Sequence, residues 1–85
     1  MPKPIRVVLF ATAREAVGRP RVLRTVPPEG RTLSDLLAEL REEYPMASAV
    51  LSGCRFARNG RYLTSARARI RPGDELAIHP PFSGG

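Results

Sequence analysis

Thr32-Leu33-Ser34-Asp35-Leu36-Leu37-Ala38-Glu39-Leu40-Arg41-Glu42-Glu43-Tyr44-Pro45 is the stretch on which the fold turns. Leu33, Leu36, Leu37, Leu40 and Tyr44 fall on one face of a 3.6-residue period, so the segment predicts an amphipathic helix whose apolar stripe faces a core. Thr32 begins it. Asp35 sits three places later, where the positive end of the helix dipole favours a carboxylate. Pro45 drives Tyr44 out of helical geometry and ends the element after about three turns.

The segments upstream read differently. Arg21 to Val26 reads as a strand that runs into a turn, Pro27-Pro28-Glu29-Gly30. Before it, Thr12-Ala13-Arg14-Glu15 has the form of a capping box for a short helix, and Gly18 can close that helix in the left-handed conformation. Arg14 and Glu15 are assigned to the helix and its neighbours. Ile5-Arg6-Val7-Val8-Leu9-Phe10 is β-branched and nearly continuous in apolarity, which predicts a central strand covered on one face and flanked at both edges.

Downstream, Met46 to Cys54 predicts a helical turn plus a loop. Arg55-Phe56-Ala57-Arg58 and Arg61-Tyr62-Leu63 flank Asn59-Gly60, the preferred pair for a tight hairpin because both central residues take positive φ. That turn suffices to explain Asn59. Pro72-Gly73-Asp74 feeds a last strand, Glu75-Leu76-Ala77-Ile78-His79, with Leu76 and Ile78 on one face. The order of elements predicts an α+β fold, a mixed sheet of about five strands with one main helix packed across one face.

At 85 residues the chain is expected to fold as one domain, residues 1–79, followed by an extended tail, residues 80–85. It has one cysteine, Cys54, and one histidine, His79, which supply no ligand set for a metal. Buried packing is the expected role of Cys54. No run approaches the roughly 18 apolar residues of a membrane span. With no signal-peptide core after Met1-Pro2-Lys3-Pro4, the expected location is the cytoplasm, away from membranes.

The net charge is +6, and all but one of the 14 basic residues are arginine. They are scattered, only Arg67-Ala68-Arg69-Ile70-Arg71 being locally dense. Scatter favours a solvated basic surface, turned toward an acidic protein partner, over a nucleic-acid groove.

The chain ends His79-Pro80-Pro81-Phe82-Ser83-Gly84-Gly85. Two residues without side chains can pass a channel too narrow for a Cβ, which suits a chain whose terminal carboxylate reacts. A frayed end is the other reading of the same residues.

Taken together, the elements resemble a β-grasp, the ubiquitin-like fold, and several segments narrow the likeness. Val8-Leu9-Phe10-Ala11-Thr12-Ala13-Arg14-Glu15 resembles the N-terminal block of the small subunits of molybdopterin synthase, a strand running into an Ala-x-x-Arg-Glu helix. Asn59, then Pro72-Gly73-Asp74-Glu75-Leu76-Ala77-Ile78 and Pro80-Pro81-Phe82-Ser83-Gly84-Gly85, is similar to that family's turn, last strand and Pro-Pro-x-Ser/Thr-Gly-Gly tail. The likeness spans essentially the whole chain.

The resemblance implies a sulfur carrier without a catalytic side chain or bound cofactor. A ubiquitin-activating-type adenylating enzyme would use ATP to convert the Gly85 carboxylate to an acyl adenylate, and a sulfur donor would turn it into a thiocarboxylate. Pro80, Pro81, Phe82, Ser83 and Gly84 would dock the tail in the large subunit of molybdopterin synthase, within a heterotetramer of two small and two large subunits. The thiocarboxylate would pass sulfur to cyclic pyranopterin monophosphate, on the way to the molybdenum cofactor. Phe10, Tyr62 and His79 fall at positions resembling the sheet surface that family members press against partners. His79 departs from the apolar or aromatic residue often found before the two prolines. Variants of the same chemistry would serve thiamine thiazole synthesis, tRNA thiolation or attachment to lysines of other proteins. From another class comes a basic β-grasp module that binds RNA.

Overall fold

The computed structural model describes residues 3–81. Its centre is a five-stranded sheet in the order β2-β1-β7-β4-β5, built from β1 (Ile5–Leu9), β2 (Arg21–Arg24), β4 (Arg55–Arg58), β5 (Arg61–Tyr62) and β7 (Glu75–His79). β1 runs parallel to β7, and every other pairing is antiparallel, so the sheet is mixed. A two-residue strand, β3 (Arg31–Thr32), pairs with β6 (Arg69–Ile70) in a separate ladder. Three α-helices complete the described residues: α1 (Ala11–Val17), α2 (Leu33–Glu43) and α3 (Ser48–Ser52).

The apolar alternation of β1 matches what it buries. Ile5, Val7 and Leu9 are enclosed, whereas Arg6 and Val8 lie on the other face. Leu76 and Ile78 of β7 meet Leu36 and Leu40 of α2 in the same core, all at most 1% exposed. Leu33 and Leu37 join them, and Tyr44 packs at the margin. The stripe read from the sequence is the stripe that is buried.

α2 begins where Thr32 stands. Its hydroxyl oxygen accepts from the Asp35 amide at 3.1 Å, and the helix ends at Tyr44, before Pro45. The Asn59-Gly60 turn has φ of 49° and 86°, the paired left-handed geometry of a tight hairpin. Gly18 closes α1 with φ 85°, its amide donating to the Arg14 carbonyl at 2.7 Å.

Several expectations change. Thr12 does not cap α1: the helix starts two residues earlier, from Phe10, without a side-chain cap. The Phe10 amide is still tied to the Ile78 carbonyl of β7, so the chain turns sharply at Ala11, with φ 49°, and the Phe10 carbonyl accepts from Ala13 and Arg14. Thr12 is thereby already inside the first turn. β1 is flanked on both edges as expected, but the middle place in the sheet belongs to β7. Residues 45–52 are more helical than a turn plus loop, with a 3-10 turn (Pro45–Ala47) leading directly into α3. Asn59 also does more than turn the chain. Its side-chain amide donates to Asp74 Oδ1 at 3.0 Å, while its carbonyl oxygen accepts from the Glu75 amide at 2.9 Å, tying the hairpin to the start of β7.

Candidate functional surface

The open face of the sheet collects the aromatic residues singled out in the sequence. β1 and β7 are in register with Val8 opposite Ala77 and Leu9 opposite Ile78. One step on, Phe10 and His79 lie side by side, their rings stacked at 4.6 Å between centroids and 5° between planes. Tyr62 meets His79 edge-on at 6.0 Å. Offset or edge contacts of this kind contribute about 0.5–1.5 kcal/mol beyond the area they bury. Phe10 nevertheless remains 42% exposed and Tyr62 61%.

A water-facing aromatic cluster is costly to leave bare, because a phenylalanine side chain such as that of Phe10 contributes about 1.5–3 kcal/mol when it is fully buried. Three residues far apart in sequence therefore form one patch, and the patch sits at the root of the tail. Leu23, 54% exposed on β2 opposite Arg6, is a further apolar side chain left in water, a residue the sequence reading did not single out. Its signal was available in the alternation of Arg21-Val22-Leu23-Arg24, where Val22 faces inward and Leu23 outward.

β7 carries the chain out of the middle of the sheet. Pro80 is half-buried and Pro81 exposed. Pro81 rests against Gly53 at the end of α3, where a Cβ would come within 3.5 Å of the proline ring. Phe82, Ser83, Gly84 and Gly85 lie outside the described residues. Pro80 and Pro81 each have φ restricted by the proline ring.

Cys54 is half-buried, and its Sγ donates to the Val50 carbonyl at 3.1 Å. Burial pushes its thiol above the ordinary value, which opposes a thiolate nucleophile. Arg14 and Glu15 are exposed on α1. Among the described residues no three His, Cys, Asp or Glu side chains come together to hold a metal ion. No helix there is long and apolar enough to cross a membrane.

Comparison with known proteins places this architecture. Residues 7–85 match the ThiS family. A molybdopterin synthase sulfur carrier subunit from Arabidopsis thaliana is 42% identical over 95% of this chain and 82% of its own length. One from Dictyostelium discoideum is 31% identical over the full length of both. Among solved structures, SAMP1 from Haloferax volcanii is 30% identical and superposes with a TM-score of 0.79, covering 96% of this chain and 99% of that one. Fold, open sheet face and full-length similarity agree: the chain belongs to the ThiS family and has the ubiquitin-like β-grasp fold.

Proposed function

We propose that this protein is the sulfur carrier of molybdopterin synthase, loaded at Gly85. The observation that carries the reading is that the family match runs through Gly85, the last residue, and that curated relatives named as molybdopterin synthase sulfur carrier subunits align over nearly the whole chain. The chemistry follows from the terminus. A carboxylate resists attack because its negative charge repels a nucleophile. An adenylating enzyme would join it to AMP from ATP, with release of pyrophosphate. Sulfur from a donor then displaces AMP and leaves a thiocarboxylate.

The loaded tail enters the large subunit and delivers sulfur to cyclic pyranopterin monophosphate. The carrier contributes position. Pro80 and Pro81 hold the tail extended, Phe82 anchors it, Ser83 makes a hydrogen bond, and Gly84 allows close approach to the reacting carbonyl. Phe10, Tyr62 and His79 form the surface that seats the partner. Acids, bases and ATP-binding groups belong to the partners, in the cytoplasm.

Intact mass of the chain after incubation with its adenylating enzyme, ATP and a sulfur donor tests this, with fragmentation to locate the change. Exchange of one oxygen for sulfur at Gly85 is the expected result. An unchanged mass, with the enzyme active on another carrier, would overturn it.

A second reading has its own support in the likeness to SAMP1, a small archaeal modifier protein. The same acyl adenylate can react with a lysine amine to give an isopeptide. A Gly85-lysine linkage in digests of cellular protein would establish this use of the tail.

A further inference from the structure

Charge is unevenly divided among the elements. α2 carries Asp35, Glu39, Glu42 and Glu43 against Arg41 alone, a net −3. Since the whole chain is +6, the remainder carries +9. Among the described residues the ion pairs also end on this helix: Arg24 with Glu43, and Arg31 with Asp35 and Glu39. The carboxylates that neutralise arginines thus gather behind the sheet.

The open face has the opposite character. Register places Arg21, Val8, Ala77, Ala57 and Tyr62 across one rung of the sheet. Arg55 lies opposite His79 on the side of the aromatic cluster, and Arg6 lies between Leu23 and Glu75 on the other side. Arg21 and Arg55 are exposed, and neither makes a side-chain hydrogen bond or ion pair among the described residues. Arg6 is half-buried and donates to the Gly73 carbonyl at 3.2 Å. Glu75 is the one carboxylate that this register brings to the face.

Resting on the reading that this face seats the partner, we infer that Arg6, Arg21 and Arg55 form a basic rim around the apolar centre and select a protein surface with an apolar seat ringed by carboxylates. Arg24 and Arg31 offset the carboxylates of α2, so the helix side offers such a partner little net charge, and the unpaired arginines of the open face orient the encounter as well as accelerating it. Complementary charge of this kind raises association rates by about 10- to 1,000-fold and is screened by salt. Apolar burial then holds the complex, with little dependence on salt.

Stopped-flow association with the large subunit of molybdopterin synthase from the same organism, measured across ionic strength, tests this. The wild-type rate should fall steeply as salt rises. The double variant Arg21→Glu/Arg55→Glu should associate about tenfold or more slowly at low salt and lose most of the salt dependence. Arg41→Glu/Arg67→Glu changes net charge equally on the helix side, where Ala66 and Ala68 beside Arg67 accept from the first amides of α2. It should associate at close to the wild-type rate. Circular dichroism checks that each variant is folded, and Arg21→Ala/Arg55→Ala gives a milder version if the reversal is not tolerated. Binding with the same rates and salt slopes in both double variants would overturn the basic rim and leave the carrier reading standing. No binding by wild type at any ionic strength would overturn both. Tighter binding to a single-stranded RNA oligonucleotide, lost with Arg21 and Arg55, would overturn the assignment of this face to a protein.

Discussion

At Gly30 the chain has no room for a side chain. Its φ is 81°, and a Cβ there would strike the backbone carbonyl of Ile70, reaching the carbonyl carbon at 2.9 Å. Gly18 has a similar φ of 85°, but nothing lies within 4 Å of where its Cβ would be. The pair separates two costs. Gly18→Ala should lose about 1–2 kcal/mol, the penalty of a left-handed L-residue, whereas Gly30→Ala should lose clearly more, because the β3–β6 ladder must also move. Ala11 is the converse case, an alanine at φ 49°. Ala11→Gly should stabilise by about 0.5 kcal/mol, relief of strain outweighing the added flexibility of glycine. Urea denaturation of the three variants checks both the order and the sign.

Cys54 makes a pH prediction at the same scale. Its thiol is raised above the ordinary 9.0 by burial, so the folded chain keeps the proton more tightly than the unfolded one. The contribution is complete below the unfolded value and is lost as pH rises through the folded one. Stability should therefore decline more steeply above pH 9.0 in wild type than in Cys54→Ala. Paired thermal melts across that range measure the difference, and parallel curves would contradict the burial account.

Among the elements, α2 and the Asn59 hairpin are the ones whose roles can be divided by mutation. Thr32→Ala removes the hydroxyl that accepts from Asp35 and should cost about 1 kcal/mol. Leu40→Ala, in the enclosed part of the stripe, should cost about 2–5 kcal/mol. For the hairpin, Asn59→Gly keeps the left-handed turn and the backbone bond from residue 59 to the Glu75 carbonyl but loses the side-chain bonds to Asp74 and the Glu75 amide, whereas Asn59→Ala loses those bonds and strains the turn. A tie that matters predicts a measurable loss in Asn59→Gly, on the order of 1 kcal/mol for the neutral bond from the Glu75 amide and more for the bond to the Asp74 carboxylate, with Asn59→Ala lower still. Equal stability of wild type and Asn59→Gly would restore Asn59 to a turn residue only.

These elements also show why some structure was legible in the sequence and some was not. α2 has a period, a cap and a terminator, three independent signals that agree. The Thr12-to-Glu15 box has the right spacing and the wrong start, because the bond from the Phe10 amide to Ile78, a partner 68 residues away, sets where α1 begins. β3 and β6 are two residues each, too short to display any alternation.

Over the whole molecule, the buried core is drawn from residues between Ile5 and Ile78. Deleting Gly85 should leave the melting temperature within error of wild type, since the core lies in residues before the tail, and should abolish sulfur loading by intact mass. A truncated chain that still accepts sulfur would place the reacting group elsewhere. The polarity between α2 and the open sheet face belongs to this scale as well, since it is a property of no single residue.

What the sequence determined by itself was local: the amphipathic period of α2, the Asn59-Gly60 turn, the shared face of Leu76 and Ile78 in the last strand and the Pro-Pro-x-Ser-Gly-Gly ending. Each depends on residues a few places apart, where side-chain spacing alone dictates geometry. Only the tertiary structure decided that β7 lies at the centre beside β1, that Phe10 and His79 stack with Tyr62 at their edge, and that Arg6, Arg21 and Arg55 share the open face with them. Those relations join residues from opposite ends of the chain. Hydrogen bonding across the sheet and burial of one shared core set them, and neither leaves a local trace in the order of amino acids.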